Sequence, residues 1–133
     1  MLSGVAPLTA QTQSQLLAAI SRVRNLHAPM STAVRFDRQL TALAVQALVD
    51  DCLDSSRLEA PPPEFDIPEC HGCHRSYGWR TPAGVIEYAK FFPVVVEMLA
   101  SPRFVRVGAA KVLVSPQVYN WFIVLAERKP EVA

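Results

Sequence analysis

The chain has 133 residues, half of them apolar, and a formal net charge of +1 from thirteen basic and twelve acidic side chains. That is enough for one hydrophobic core without staples and too little for two, so residues 1–133 read as a single domain. The balanced charge lacks the strong field on which non-specific nucleic-acid binding depends, and nucleic acid is set aside as a partner.

Met1 to Leu8 carries neither a basic n-region nor a sustained apolar stretch, so it does not read as a secretory signal peptide. From Gln13 to Leu26, residues Leu16, Leu17, Ile20, Val23 and Leu26 recur at three- and four-residue spacing, predicting a helix with one buried stripe. Asp37 stands as the N-cap of a second helix, which carries Leu40, Leu43, Ala44, Ala47 and Leu48 and reaches Leu53 to Leu58. On it Cys52 reads as a small buried hydrophobe, and Asp50, Asp51 and Asp54 as a solvated face. Pro61, Pro62 and Pro63 exclude helix, and residues 59–77 read as a loop carrying a cluster of cysteine and histidine.

Thr81 followed by Pro82 is a helix start, with Val85, Ile86 and Ala89 on the apolar face. Pro93 ends or kinks that helix, and Val94 to Leu99 continues as a shorter piece. The same proline interrupts the longest apolar run, Val85 to Leu99, so no segment is expected to cross a bilayer. Phe104 to Val114 and Val118 to Leu125 are rich in β-branched and aromatic residues and flank Ser115-Pro116-Gln117, which predicts an antiparallel hairpin. The sum is an α+β fold, a small antiparallel sheet covered by helices. Trp79, Tyr88, Phe91, Phe92 and Trp121 are expected in its core.

The densest chemistry lies in Cys70-His71-Gly72-Cys73-His74. Cys-x-x-Cys-His is the attachment pattern of c-type haem, in which both thiols add to vinyl groups and the histidine ligates iron. On that reading Cys70, Cys73 and His74 hold the cofactor, and His27, Met30 and Met98 are candidate second axial ligands. Arg75 and Arg80 flank the loop, by default as surface arginines and otherwise as partners for an anion or a propionate. The same stretch offers Cys70, His71, Cys73 and His74 as donors to zinc or copper, with only His27 and Cys52 as distant partners. A reversible Cys70–Cys73 disulfide is a third reading, and a loop staple or free surface thiols beside solvated histidines a fourth. The total of three cysteines does not suit a dense disulfide framework. No Gly-x-Ser-x-Gly elbow or glycine-rich phosphate loop is present, and Asp50 and Asp51 adjoin and so point apart, which favours a protein that is not an enzyme.

Three stretches carry a resemblance: Gly78-Trp-Arg-Thr-Pro-Ala-Gly-Val-Ile-Glu87, Ala100-Ser-Pro-Arg-Phe-Val-Arg-Val-Gly108 and Tyr119-Asn-Trp-Phe-Ile-Val-Leu125. Leu16 to Ile20, Arg24-Asn25-Leu26-His27 and Phe36-Asp37-Arg38-Gln39-Leu40 extend it upstream. In order and spacing the chain resembles the CAP superfamily (SCP-like domains) of cysteine-rich secretory proteins, antigen 5 and pathogenesis-related group-one proteins. The resemblance implies an α-β-α sandwich. It also implies a cleft of two histidines and acidic residues able to bind a divalent metal, but the matching positions hold Leu48 (or Ala47), Val95 and Cys73. A degenerate metal cleft follows. What the resemblance then implies is an extracytoplasmic or secreted binding domain for a small apolar ligand, such as a lipid or sterol, or for a protein partner. The alternative is a haem-bearing electron-transfer or sensing domain, which would have to be exported.

Overall fold

The computed structural model describes residues 4–27, 33–53, 71–78, 81–115 and 118–128. Strand β1 (Ala6–Pro7) leads into helix α1 (Ala10–His27), and β2 (Arg35–Phe36) into α2 (Arg38–Leu53). Then come β3 (His71–Gly78), α3 (Pro82–Ala89), α4 (Pro93–Ala100), β4 (Arg106–Ser115) and β5 (Val118–Ala126). The α+β expectation holds, and so does every predicted helix. Helix α1 starts three residues before Gln13 because the Thr9 hydroxyl accepts from the Thr12 amide at 3.2 Å and holds the first turn. Thr81 caps α3 as its sequence indicates, accepting from the Gly84 amide at 3.3 Å, with Pro82 at the first helical position.

The sheet runs in the order β1-β4-β5-β3, and β2 joins β4 separately. Strands β4 and β5 form the predicted hairpin, from Arg106 opposite Ala126 to Ser115 opposite Val118, and β3 lies antiparallel on the far side of β5. The outer edge of β4 takes two short pieces: β1 antiparallel at Ala6 and Pro7, and β2 parallel at Arg35 and Phe36. The expected loop over 59–77 is corrected at its end, since His71 to Tyr77 belong to β3. Backbone pairing along the whole of β5 overrides the weak strand propensity of a Gly, Ser and Arg-containing segment. The stretch from 59 to 70 lies outside the described residues.

Helices cover both faces of the sheet, so the central strand β5 is buried on both sides from Asn120 to Ala126. Alternation divides it. Trp121, Ile123 and Leu125 join Val107 and Ala109 beneath α1, α3 and α4, through Leu16, Ile20, Val23, Val85, Ile86 and Leu99. Phe122, Val124 and Ala126 join Ala110 and Val112 beneath α2, through Leu40, Ala44, Ala47 and Leu48. At the margin of the first face, Lys111 is kept over aromatic rings, its Nζ 5.0 Å from the centre of Tyr119 and 5.3 Å from that of Trp121.

Two contacts seat α2 on the sheet. The Asp37 carboxylate accepts from the Leu40 amide at 3.1 Å, which caps α2, and from Arg106 Nη1 at 3.0 Å, which ties the cap to β4. Arg106 also donates from Nε to the Glu127 carbonyl at 2.8 Å, beyond the end of β5. Gly108 is the second contact. A Cβ there would overlap the backbone of Leu40 and Thr41, so only glycine lets the first turn of α2 lie on β4.

Asp37 and Arg106 are 13% and 10% exposed at the side chain, so removing one partner strands a largely desolvated charge. Asp37→Ala should cost about 3 kcal/mol in urea unfolding, and Asp37→Asn, which keeps the cap acceptor, about half of that. A larger loss for Asn than for Ala would contradict this division of roles. Gly108→Ala should cost about 3 kcal/mol or prevent folding, because neither backbone can give way; a midpoint unchanged from the parent would show that α2 can shift.

Candidate functional site

A groove of about 850 Å³ lies between the end of α1 and α4. Val23, Leu26 and His27 form one wall, and Pro93, Val96 and Ala100 the other. Both walls follow from the sequence locally. Helix α1 continues past its last buried residues into Leu26, and Pro93 opens a helix whose next residues are all valines. Arg24 fixes the spacing between the walls: its guanidinium, buried in the protein, donates to the Leu99 carbonyl at 3.2 Å and the Ser101 carbonyl at 3.0 Å. This satisfies carbonyls at the C-terminal end of α4 with a cation, and desolvation pushes the Arg24 pKa down from its usual value. Lys90 and Glu97 are the charged members of the lining. A side cleft of about 140 Å³ shares Val23, Leu26 and Lys90 and extends to Ala83 and Ile86 on α3.

Leu26 is a correction to the predicted buried stripe, for it is 77% exposed and lines the groove. The aromatic set is corrected too. Trp121 is fully buried, but Phe91 is 81% exposed, Phe92 42% and Tyr88 36%. Helix α3 ends at Ala89 and Pro93 begins a new helix, and the turn between them directs Phe91 outward. Trp79 lies outside the described residues.

The described members of the cysteine and histidine cluster, His71, Cys73 and His74, sit on β3, and none of them lines the groove. Cys70 lies outside the described residues, as do Met30 and Arg80, and so does the side chain of Cys52. His71 and Cys73 stand opposite Ala126 and Val124, on the α2 face, whereas His74 stands opposite Ile123, on the other face. Strand alternation therefore separates Cys73 from His74 by the thickness of the sheet. A haem bonded to the Cys73 sulfur on one face cannot have its iron held by His74 on the other, so these two residues do not fit that group. The zinc or copper set is divided in the same way, and among the described residues no three of His, Cys, Asp and Glu gather as a metal site. Met98 does share the face of His74, packed so closely on Gly72 that a Cβ there would lie 2.6 Å from its sulfur. His27 lies instead on the groove wall.

Burial sets the protonation of both residues. Desolvation pushes the Cys73 thiol up to about 11, so it stays protonated and a poor nucleophile or metal ligand at neutral pH. Desolvation pushes His74 down to about 4. Its ring lies 6.0 Å from that of Phe92, which in turn lies 5.4 Å from Tyr88, and its Nε2 has no hydrogen-bond partner among the described residues. The positions matched to the family's cleft donors do not converge either. Leu48 and the neighbouring Ala47 are buried on the sheet-facing side of α2, with Cys73 against the same core, while Val95 packs on the opposite side of the sheet.

Several solved structures share this architecture. An outer surface protein from Borrelia burgdorferi superposes with a TM-score of 0.69 over 93% of this chain and 98% of its own, at 13% identity. A cysteine-rich secretory protein from Staphylococcus aureus gives 0.54 over 91% of this chain and 41% of its own, at 13% identity. An Ancylostoma-secreted protein gives 0.54 over 90% of this chain and 67% of its own, at 12% identity. The fold is CAP-like. No protein-family model and no curated protein matches the chain by sequence. Among the described residues of this CAP-like domain, no helix is long and apolar enough to cross a membrane.

His74 makes the stability of the CAP-like domain depend on pH. Its folded pKa of about 4 lies below the ordinary 6.5, so as pH falls the unfolded chain takes up the proton first. Its contribution is intact above about pH 6.5, declines toward pH 4 by up to about 1.4 kcal/mol per pH unit, and then levels off. Urea midpoints across that window should fall less for His74→Phe than for the parent. Parallel curves would show that His74 is not desolvated.

Proposed function

We infer that this CAP-like protein is a non-catalytic, extracytoplasmic binding domain whose α1–α4 groove takes a small apolar ligand of the lipid or sterol class. The observation that carries this reading is the groove itself. Its volume of about 850 Å³ suits a small molecule, and its walls are built from Val23, Leu26, Pro93, Val96 and Ala100 with a few polar groups beside them. Burying an acyl chain or ring system against such walls removes apolar surface of both partners from water, at roughly 25 cal/mol per Å². Arg24 supports the reading by tying α1 to the end of α4 and so fixing the position of one wall against the other.

The two groups whose chemistry is best suited to catalysis are poorly placed for it. Cys73 is held as a thiol and His74 as a neutral imidazole, on opposite faces of the sheet. A location outside the cytoplasm is supported by the neighbours of like fold, which are named as secreted or outer surface proteins.

Displacement of an environment-sensitive apolar fluorophore by a long-chain fatty acid or a sterol tests the site. The parent should bind and release the fluorophore on competition. Val96→Glu, which puts a charge on a half-buried wall, should weaken binding at least about tenfold at a temperature where circular dichroism shows the variant still folded. Failure of the parent to bind any such ligand, or equal binding by the variant, would remove the groove as the site.

A further inference from the structure

Phe91, Phe92, Pro93 and Val94 form four consecutive exposed residues without one polar side chain. Water-facing helix starts ordinarily carry Ser, Thr, Asp or Asn at the cap, but α4 has Phe92 there and no side-chain capping bond. Phe91 and Val94 are 81% and 76% exposed, and Leu26, at 77%, lines the groove together with Lys90 and Pro93, the chain neighbours of this tip. A contiguous exposed run of this kind is unfavourable in water and marks a surface that meets another apolar phase.

Charge narrows what that phase can be. The charged side chains lining the groove and its side cleft are Arg22 and Lys90 against Glu87 and Glu97, and Lys90 is already paired with Glu87 at 2.9 Å. Among the described lining residues the two signs balance, so the lining offers no local excess of positive charge to a polyanionic surface or an acidic peptide. An uncharged apolar wedge with Tyr88 behind it suits the interface of a zwitterionic bilayer, where aromatic side chains settle at the headgroup level.

We propose that the α3–α4 corner is a membrane-docking wedge, in which Phe91 and Val94 enter the surface of a neutral bilayer and bring the mouth of the groove to its lipids. The proposal names the source from which the groove is filled and so rests on the reading of that groove as a lipid site. The two are measured separately. Ligand displacement in solution reports on the groove, and vesicle binding without added ligand reports on the wedge.

The full chain should float with vesicles of phosphatidylcholine alone, equally at low and high salt. The double substitution Phe91→Asp and Val94→Asp should lower the bound fraction at least about tenfold while leaving the thermal midpoint and the groove's fluorophore binding in place. Leu113→Asp removes an apolar side chain 53% exposed on the β4–β5 hairpin and should leave flotation unchanged. Flotation that requires anionic lipid and vanishes in salt would overturn the proposal in favour of an electrostatic surface. Failure of the parent to float, or flotation of the double variant like the parent, would also overturn it. So would self-association abolished by the double substitution without any binding to vesicles, which would assign the corner to a second copy of the chain.

Discussion

The bond between Asp37 and Arg106 is the point on which the layering of this protein depends. One carboxylate ends β2, begins α2 and grips β4, and the same arginine reaches the carbonyl of Glu127 as the chain leaves β5. Each of these tasks alone is worth little, since a cap contributes roughly 1 kcal/mol and an exposed pair less. Their combination in a mostly dehydrated position fixes where α2 can sit. Gly108 then determines how closely, by allowing helix backbone to lie on strand backbone.

With α2 sealed onto one face, β5 is buried on both sides, and the opposite face is left to three packing partners, α1 and the short α3 and α4. Short helices cannot cover such a face completely. The groove lies where α1 and α4 diverge, braced by Arg24, and the connector between α3 and α4 leaves its phenylalanines outside. The concavity and the apolar corner thus have a common origin in Pro93, which breaks one long helix into two and turns the second away from the first.

Much of the fold was legible because its signals are local. Asp37 as a cap, Thr81 and Pro82 as a start, the Leu16–Ile20–Val23 stripe and the β-branched hairpin each depend on residues within a few positions of one another. Strand β3 was not legible, because Gly72, Ser76 and Arg75 have little strand preference of their own and are held by pairing with residues nearly fifty positions away. The site was less legible still. The Cys-His motif stands out as a string of donors, yet a string adjacent in sequence becomes opposed in space once it is a strand. The groove has no motif at all, and its wall residue Leu26 reads in the sequence as part of the buried stripe of α1.

By itself, then, the sequence determined the helices, the β4–β5 hairpin and their order, because periodicity, caps and turn residues encode these within short windows of chain, while the α-β-α arrangement came from the family resemblance. The tertiary structure alone decided which face of the sheet each residue of β3 serves, and therefore that Cys73 and His74 part company. It also decided that Leu26 and Phe91 belong to a surface rather than to the core. Burial is a property of what the rest of the chain places nearby, and no local pattern fixes it.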